Sequence, residues 1–242
     1  MAKTTSKEIV NEIREFCIQN QDPAMVEKYK RYFKDGYDAW GLASGLATTK
    51  AKEMLSGQGI TLNLVFEAAP SLIKTGKYEE TFFAFLLTQG FQKEWTKQTL
   101  LEMEKWFEIG FTNWAHTDYF CSEIMSFFFK KKIIVMKDLG NWRKGKNKFQ
   151  RRAAVVSLIK PMKLDKDFQP YFDFIEPMMH DPEREVHQGL GWFLREAWKK
   201  QPEITEKFLL KFKDTAPRLI FQYATEKMTS EGKGKFRKQK NN

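Results

Sequence analysis

The sequence predicts an all-α protein, and three observations support that fold class. Apolar residues recur at three- and four-residue steps along almost the whole chain, which is the spacing of amphipathic helices. Alternating runs rich in Val, Ile and Thr, which would indicate strands, are nearly absent. Two segments also begin with a helix-capping residue followed by proline. Helices are expected near residues 5–19, 23–34, 38–55, 61–75, 79–92, 97–109, 114–132, 147–159, 167–179, 183–200, 202–212 and 215–228.

The helix boundaries follow from local chemistry. Asp22-Pro23 and Asp181-Pro182 each place an N-cap acceptor before a proline at the first helical position, where the missing N–H costs nothing. Gln201-Pro202 restarts a helix after a short break. Gly57-Gln-Gly59 and Gly110 mark turns. Short connections of this kind favour antiparallel helix pairs.

A string of antiparallel helix pairs is typical of an α-solenoid of HEAT or armadillo type. We therefore expect a single HEAT-like α-solenoid domain over residues 1–230, with degenerate repeats and a concave basic face. A crisp repeating motif is not visible, so a non-repeating helical bundle is the alternative. The basic, glycine-containing residues 231–242 are predicted to form a disordered tail.

Charge and cysteine content indicate the kind of partner and compartment. The 242 residues include 41 Lys and Arg against 31 Asp and Glu, a net charge of +10 that favours nucleic acid over an acidic membrane surface. Cys17 and Cys121 lie in separate helical segments, so buried free thiols and a reducing compartment are expected. No signal peptide or membrane-spanning run of roughly 18 to 20 apolar residues is visible. We expect a cytoplasmic monomer that does not enter membranes.

Most classes of catalytic site find no support in the sequence. His116, His180 and His187 lack flanking Cys or carboxylate ligands at the spacing of a zinc site. The turn at residues 56–59 lacks the Gly-Lys-Ser/Thr ending of a phosphate-binding loop. No nucleophile lies on a recognisable elbow. No metal or cofactor is expected.

A group of aromatic, acidic and basic residues remains. Trp114 and Asp118 are four residues apart, so a helix would place an indole and a carboxylate on one face, about one turn apart. Arg151-Arg152 and Trp192 follow downstream. Each member also has a structural interpretation: Asp118 as a helix N-cap or first-turn acid, the tryptophans as core, and the arginines as a solvated face. Taken singly, these residues do not decide between site and scaffold.

A basic segment covers residues 141–152. It carries six basic residues and no acid, interleaved with Trp142 and Phe149. Basic side chains of this kind neutralise phosphates of nucleic acid. Lys146 and Lys148, together with the arginine pair, are therefore candidate DNA contacts.

Three segments resemble, in order and spacing, the HEAT-like-repeat DNA alkylation repair family, which comprises bacterial alkylpurine DNA glycosylases. They are Trp114-Ala-His-Thr-Asp118, Asn147-Lys-Phe-Gln-Arg-Arg-Ala-Ala-Val-Val156 and Gly189-Leu-Gly-Trp-Phe-Leu-Arg-Glu196. Residues 30–42 are similar to the opening of the family. The resemblance covers about residues 23–228, and Gly-Trp-x-Leu-Arg-Glu is its most specific element.

The resemblance implies hydrolysis of the N-glycosidic bond of a cationic alkylated purine, such as 3-methyladenine or 7-methylguanine, in duplex DNA, without a base-flipping pocket. Asp118 would stabilise the sugar cation and orient the attacking water. Trp114 and Trp192 would flank the damaged nucleotide, since an aromatic face attracts a cation by roughly 0.5 to 2 kcal/mol.

The resemblance also implies the residues that hold the DNA. Arg152 matches the DNA-contacting arginine of the family, Arg151 is a looser match, and Tyr32 matches an aromatic residue that approaches the lesion. The sequence departs from the family at Arg184 and Glu185, where aromatic residues are common, and in its heavier basic insertion around residues 141–148.

Two other functions stay open at this stage. One is a non-catalytic HEAT-repeat protein that binds DNA structures with the same basic face. The other is a helical scaffold whose grooves hold a peptide. The presence of both Trp114 and Asp118 favours the enzyme.

Overall fold

The computed structural model describes residues 4–57, 59–111 and 113–237. Within these ranges the chain forms helices and contains no β-strand, which confirms the all-α prediction. The α-helices are α1 (Ser6–Gln19), α2 (Pro23–Lys30), α3 (Leu46–Ser56), α4 (Leu62–Ile73), α5 (Tyr78–Gln89), α6 (Lys97–Glu104), α7 (Trp106–Ile109), α8 (Trp114–Tyr119), α9 (Ser126–Lys130), α10 (Lys148–Val156), α11 (Ile159–Met162), α12 (Gln169–Ile175), α13 (Arg184–Trp198), α14 (Pro202–Phe212), α15 (Arg218–Ala224) and α16 (Ser230–Gly234). The segment Phe120–Met125 is π-helical, and short 3₁₀ turns occur at Gln92–Glu94, Met136–Leu139, Trp142–Lys144 and Glu176–Met178.

The chain divides into two compact units, Met1–His116 and Thr117–Asn242. In the first unit, α4 and α3 pack on α5, and α1 packs on α4. Nearly every side chain of α5 from Glu79 to Thr88 is buried, which is typical of a helix at the centre of a core. The side chains at the centre of this core include Ile9, Ile13, Val65, Leu72, Phe83 and Phe85.

In the second unit, α13 is the central helix and packs against α10, α14 and α15. The π-helical segment packs against α10. The core of this unit includes Phe128, Leu158, Phe172, Leu190, Phe193 and Phe221. Asp118, Arg152 and Trp192 therefore lie on elements of the same compact unit.

The predicted helix starts are largely confirmed. Helix α2 begins at Pro23, and the carboxylate of Asp22 accepts the N–H of Ala24 at 2.8 Å. Helix α14 begins at Pro202. The start expected at Asp181-Pro182 is displaced, because Asp181 accepts the N–H of Glu183 at 2.9 Å and α13 begins only at Arg184.

The predicted helix over residues 38–55 is wrong in its first half, since α3 begins at Leu46. Gly41 and Gly45 have φ values of +81° and +88°, which are incompatible with a right-handed helix. The buried carboxylate of Glu79 accepts the backbone N–H groups of Trp40 and Gly41 at 2.8 Å and of Leu42 at 3.1 Å. A distant carboxylate therefore holds this segment as a loop.

Both cysteines are free and buried, as predicted. Burial raises the pKa of the Cys17 thiol to about 12, with smaller contributions from the nearby glutamates Glu79 and Glu80. Burial also raises the pKa of Cys121. No helix in the described ranges is long and apolar enough to cross a membrane.

The tail predicted to be disordered is partly structured. Helix α16 spans Ser230–Gly234, and Phe236 is 1% exposed. The guanidinium of Arg218 donates to the carbonyl oxygen of Phe236 at 2.7 Å. Phe236 therefore anchors the described part of this basic segment. Residues 238–242 of the predicted tail lie outside the described ranges, and one continuous repeat domain over residues 1–230 stays a prediction.

Candidate functional site

Trp114 and Asp118 both lie in α8, as the sequence predicted. The helix begins at Trp114, and the side-chain oxygen of Asn113 accepts the N–H of His116 at 2.9 Å. Asp118 is four residues inside the helix, so the N-cap interpretation of this carboxylate is wrong. The boundary between the two compact units falls between His116 and Thr117, within this helix.

Asp118 forms a two-point ion pair with Arg152 of α10. Nε and Nη2 of Arg152 donate to the two carboxylate oxygens of Asp118, both at 2.8 Å. Nη1 of Arg152 donates to the backbone carbonyl of Glu185 at 2.7 Å. This fork geometry fixes the plane of the carboxylate as well as its position.

Arg152 is buried, with an exposed fraction of 5%, whereas the side chain of Asp118 is 18% exposed. Burial by itself lowers the pKa of Arg152, but the adjacent Asp118 carboxylate offsets this and raises the pKa above its ordinary value. The guanidinium of Arg152 therefore stays charged, and Asp118 is the more exposed member of the pair. The interpretation of Arg152 as part of a solvated basic face is wrong.

The neighbouring Arg151 is also engaged within the chain. Its Nε donates to Asp181 at 2.6 Å, and its Nη1 donates to the carbonyl oxygens of Gly145 and Lys146 at 2.8 and 3.1 Å. Its side chain is 12% exposed. Arg151 thus links the basic segment to the residues that precede α13.

The basic segment contributes to the core as well as to the surface. Trp142 and Phe149 are buried, so its two aromatic residues serve packing. Lys148 pairs with the carboxylate of Glu185 at 3.2 Å. Lys146 is exposed. Among the predicted DNA contacts in this segment, Lys146 is exposed, Lys148 is partly exposed, and the two arginines are largely buried.

Glu185 gives a structural reason for the departure from the family pattern. Its carboxylate pairs with Lys148, and its carbonyl accepts the N–H of Arg152. Arg184, the other departing residue, is exposed. The backbone of residue 185 therefore supports Arg152 whatever its side chain, whereas the acid itself is used in the ion pair with Lys148.

The Gly-Leu-Gly-Trp motif lies in α13, and its two glycines face different neighbours. A Cβ at Gly189 would lie 3.3 Å from Cγ of Arg152. A Cβ at Gly191 would lie 2.4 Å from Cβ of Tyr223 in α15. Trp192 follows and is partly exposed. The motif thus lets α10 and α15 approach α13 closely and leaves one indole at the edge of the core.

In the first unit, Trp114 lies at an aromatic cavity of about 560 Å³. Its Nε1 donates to the carbonyl of Tyr32 at 3.3 Å, and its ring stacks on Phe33 with a centroid distance of 5.5 Å. Trp114 is 38% exposed and Tyr32 is 53% exposed. The core interpretation of Trp114 is therefore wrong. The aromatic side chains that line the cavity are Tyr29, Tyr32, Phe33, Tyr37, Tyr78, Phe82 and Trp114.

Of this aromatic cluster, only Tyr32 and Trp114 were predicted from the sequence as site residues. Phe33 stacks on Tyr37 with a centroid distance of 4.5 Å. Burial raises the pKa of Tyr37, and the nearby Glu79 raises it further, so the phenol stays protonated. The density of aromatic residues between positions 29 and 37 was the available signal.

His116 is completely buried in the first unit. Its Nε2 lies 2.9 Å from the carbonyl oxygen of Tyr78, and its Nδ1 lies 3.0 Å from the side-chain amide of Asn113. Burial lowers the pKa of His116 to about 4, although the Tyr78 carbonyl acts in the opposite direction. The described ranges contain no group of three or more His, Cys, Asp or Glu side chains placed to hold a metal ion.

The low pKa of His116 predicts a loss of stability in mild acid. The unfolded state takes up a proton near the ordinary pKa of 6.5, whereas the folded state does so only near 4. The free energy of unfolding should therefore fall by about 3 kcal/mol as the pH falls between these values. Urea unfolding at a series of pH values measures this slope.

A His116→Gln variant should flatten that slope, because glutamine does not titrate. His180→Gln, which removes an exposed histidine, is the matched control. An unchanged slope in His116→Gln would show that other groups dominate the acid response.

Comparisons with known proteins agree with this architecture. A family model described as DNA alkylation repair enzyme matches residues 13–228. No match was found among curated proteins. A solved structure described as a predicted DNA alkylation repair enzyme from Enterococcus faecalis is similar, with a TM-score of 0.72 and 14% sequence identity over 87% of this chain and 98% of that chain. At this identity the structural likeness supports the fold alone.

Proposed function

This chain belongs to the family of DNA alkylation repair enzymes, and from that membership we propose that it is a monofunctional DNA glycosylase. Its substrates are cationic alkylated purines in duplex DNA, such as 3-methyladenine and 7-methylguanine. The observation that carries this proposal is the two-point ion pair of Asp118 with Arg152, which holds a partly exposed carboxylate in a fixed orientation.

The chemistry requires little from the protein. Alkylation at N3 or N7 places a positive charge on the purine, so the base can leave with the electron pair of the N-glycosidic bond and become neutral. The sugar is left as an oxocarbenium-like cation. The carboxylate of Asp118 stabilises this cation and orients a water molecule, whose oxygen bonds to C1′ and whose proton passes to solvent.

Arg152 acts in this proposal mainly through Asp118. Three of its five N–H donors are accounted for by Asp118 and Glu185. The phosphate contact that the family resemblance implies would use the remaining two. Lys146, which is exposed, is a further candidate for a backbone contact.

The exposed aromatic residues have a proposed role in recognition. Trp114 and Tyr32 present accessible rings on the first unit, and Trp192 is partly exposed on the second. Aromatic faces attract cations, so these rings suit contacts with a charged lesion or with its deoxyribose. Recognition of this kind does not require a pocket that encloses a flipped base.

A base-release assay tests the proposal directly. Duplex DNA treated with a methylating agent should lose 7-methylguanine and 3-methyladenine as free bases when the protein is added. The same DNA should gain alkali-sensitive abasic sites in equal number. Unmethylated duplex DNA is the control, and an absence of base release from the methylated DNA would exclude the glycosylase.

A non-catalytic DNA-structure binder is the second candidate, and one observation favours it. Arg152 already neutralises Asp118, which weakens the electrostatic effect of this carboxylate on a cation. Such a protein would bind DNA with strong salt dependence, log K falling by about 0.9 per phosphate neutralised for each decade of salt, without base release.

A further inference from the structure

A second recess lies in the second unit, and neither Asp118 nor Arg152 is among its lining residues. It has a volume of about 1000 Å³ and is formed by the end of α9, the connection that follows it, α11 and the loop before α12. We call it the lysine-rimmed groove. Its lining residues include Phe129, Ile134, Val135, Leu164 and Tyr171 on its apolar part, and Lys130, Lys132, Lys160 and Lys166 on its rim.

The apolar part of the groove is incompletely covered. Leu164 is 84% exposed and Val135 is 58% exposed, while Ile134, which also lines the groove, is buried. Leu164 is the most exposed of the large apolar side chains in the described ranges. Covering such side chains is favourable in proportion to the apolar area removed from water. An occupant with apolar side chains therefore fits this surface.

The charge of the rim is positive. The lining carries four lysines against two aspartates. Both carboxylates also accept hydrogen bonds within the chain, Asp165 from the hydroxyl of Tyr171 and Asp167 from the N–H of Gln169 at 3.0 Å. Of the rim lysines, Lys160 pairs with Glu123 at 3.6 Å, whereas Lys130 and Lys166 form no ion pair within the described residues. The rim thus attracts carboxylates from outside the chain.

Lys132 on this rim adopts an unusual backbone conformation. Its φ is +56°, in the left-handed region that favours glycine. The N–H of Lys132 donates to the backbone carbonyl of Phe129 at 2.9 Å, and the N–H of Ile133 donates to the backbone carbonyl of Phe128 at 3.0 Å. These two hydrogen bonds form the pattern of a Schellman cap. Glycine is the preferred residue at this position, so lysine here costs stability while adding a charge to the groove.

We propose that the lysine-rimmed groove binds an acidic peptide segment of a partner protein, with apolar side chains over Leu164 and Val135 and carboxylates on the rim lysines. Charge complementarity carries the choice of an acidic partner. The aliphatic part of the lining favours a peptide over nucleic acid. The phosphates of a nucleic acid would contact only the lysines and would leave the aliphatic side chains uncovered. The inference does not depend on the catalytic role of Asp118.

Fluorescence anisotropy with a short fluorescein-labelled peptide that alternates aspartate with phenylalanine tests the groove on the full chain. Saturable binding is expected. Leu164→Asp and Lys166→Glu should each weaken it at least about tenfold, which corresponds to about 1.4 kcal/mol. Leu210→Asp and Lys207→Glu are matched controls on α14, where both side chains are exposed, and should leave binding unchanged.

Lys132→Gly separates binding from folding. The variant should raise the melting temperature, because glycine relieves the left-handed conformation, and it should weaken peptide binding, because a rim charge is lost. Opposite changes in stability and affinity cannot arise from partial unfolding. Base release from methylated DNA should be unchanged in Leu164→Asp and Lys132→Gly.

Several outcomes would overturn the proposal. They are an absence of peptide binding, binding that is equally tight in Leu164→Asp and Leu210→Asp, or equal binding of a peptide with lysine in place of aspartate. Displacement of the peptide by a single-stranded oligonucleotide that shows the same sensitivity to Leu164→Asp would assign the groove to nucleic acid instead.

Discussion

Asp118→Asn is expected to lower the rate of base release by about 100-fold or more, since in the proposed mechanism the charge of this carboxylate stabilises the sugar cation. The same substitution should destabilise the fold by about 3 kcal/mol, because it leaves the buried guanidinium of Arg152 without its counter-ion. Single-turnover base release and urea unfolding measure the two effects separately. DNA affinity should be retained at temperatures where the variant stays folded.

A double variant distinguishes catalysis from stability. Asp118→Asn combined with Arg152→Met replaces the ion pair by an amide and an apolar side chain, which leaves no unpaired buried charge. It should recover most of the lost stability and none of the base release. Full activity in the folded double variant would show that Asp118 has no catalytic role.

Gly191→Ala should reduce the free energy of unfolding by about 3 kcal/mol, because an extra methyl group in a close helix contact forces the backbone to shift. The new Cβ would lie 2.4 Å from Cβ of Tyr223 and 2.8 Å from the carbonyl oxygen of Ile220. Neither atom is the end of a flexible side chain, so α15 must move away from α13. Trp192 follows directly in α13, and base release should therefore fall as well.

The matched control is Gly234→Ala in α16, where a Cβ would meet nothing within 4 Å. That variant should be neutral or slightly stabilising, since alanine is the better helix former. Thermal unfolding of the two variants measures the difference. Equal stabilities would mean that the contact between α13 and α15 adjusts without cost.

Local chemistry predicted much of the fold. Capping by Asp22 and the prolines at positions 23 and 202 act within one helical turn, so their effects can be inferred from the sequence. The loop before α3 could not be predicted in this way. Its conformation depends on the Glu79 carboxylate, almost forty positions away, which accepts the N–H groups of Trp40 and its neighbours.

In the candidate site, too, the sequence predicted the features that depend on neighbouring residues and missed those that depend on distant ones. The placement of Trp114 and Asp118 on one helix followed from their spacing. The pairing of Asp118 with Arg152 did not, because the two residues are distant in sequence and a basic pair is equally compatible with a solvated face. The burial that distinguishes Arg152 from Lys146 is a property of tertiary packing against Gly189.

The π-helical segment Phe120–Met125 immediately follows α8. A π turn closes its hydrogen bonds one residue later than an α turn, so it holds one residue more than an α-helical path would need. Removing a single residue from this segment would let the helix return to α geometry and would keep Asp118 in nearly the same rotation relative to α9, because the wider π turn uses the extra residue to complete the same angle. In an α-helical segment, which holds no spare residue, the same deletion would rotate every residue before it by about 100° relative to those after it. The turn that follows Asp118 can therefore lose one residue without turning the carboxylate away from Arg152, which the α-helices around the site cannot do.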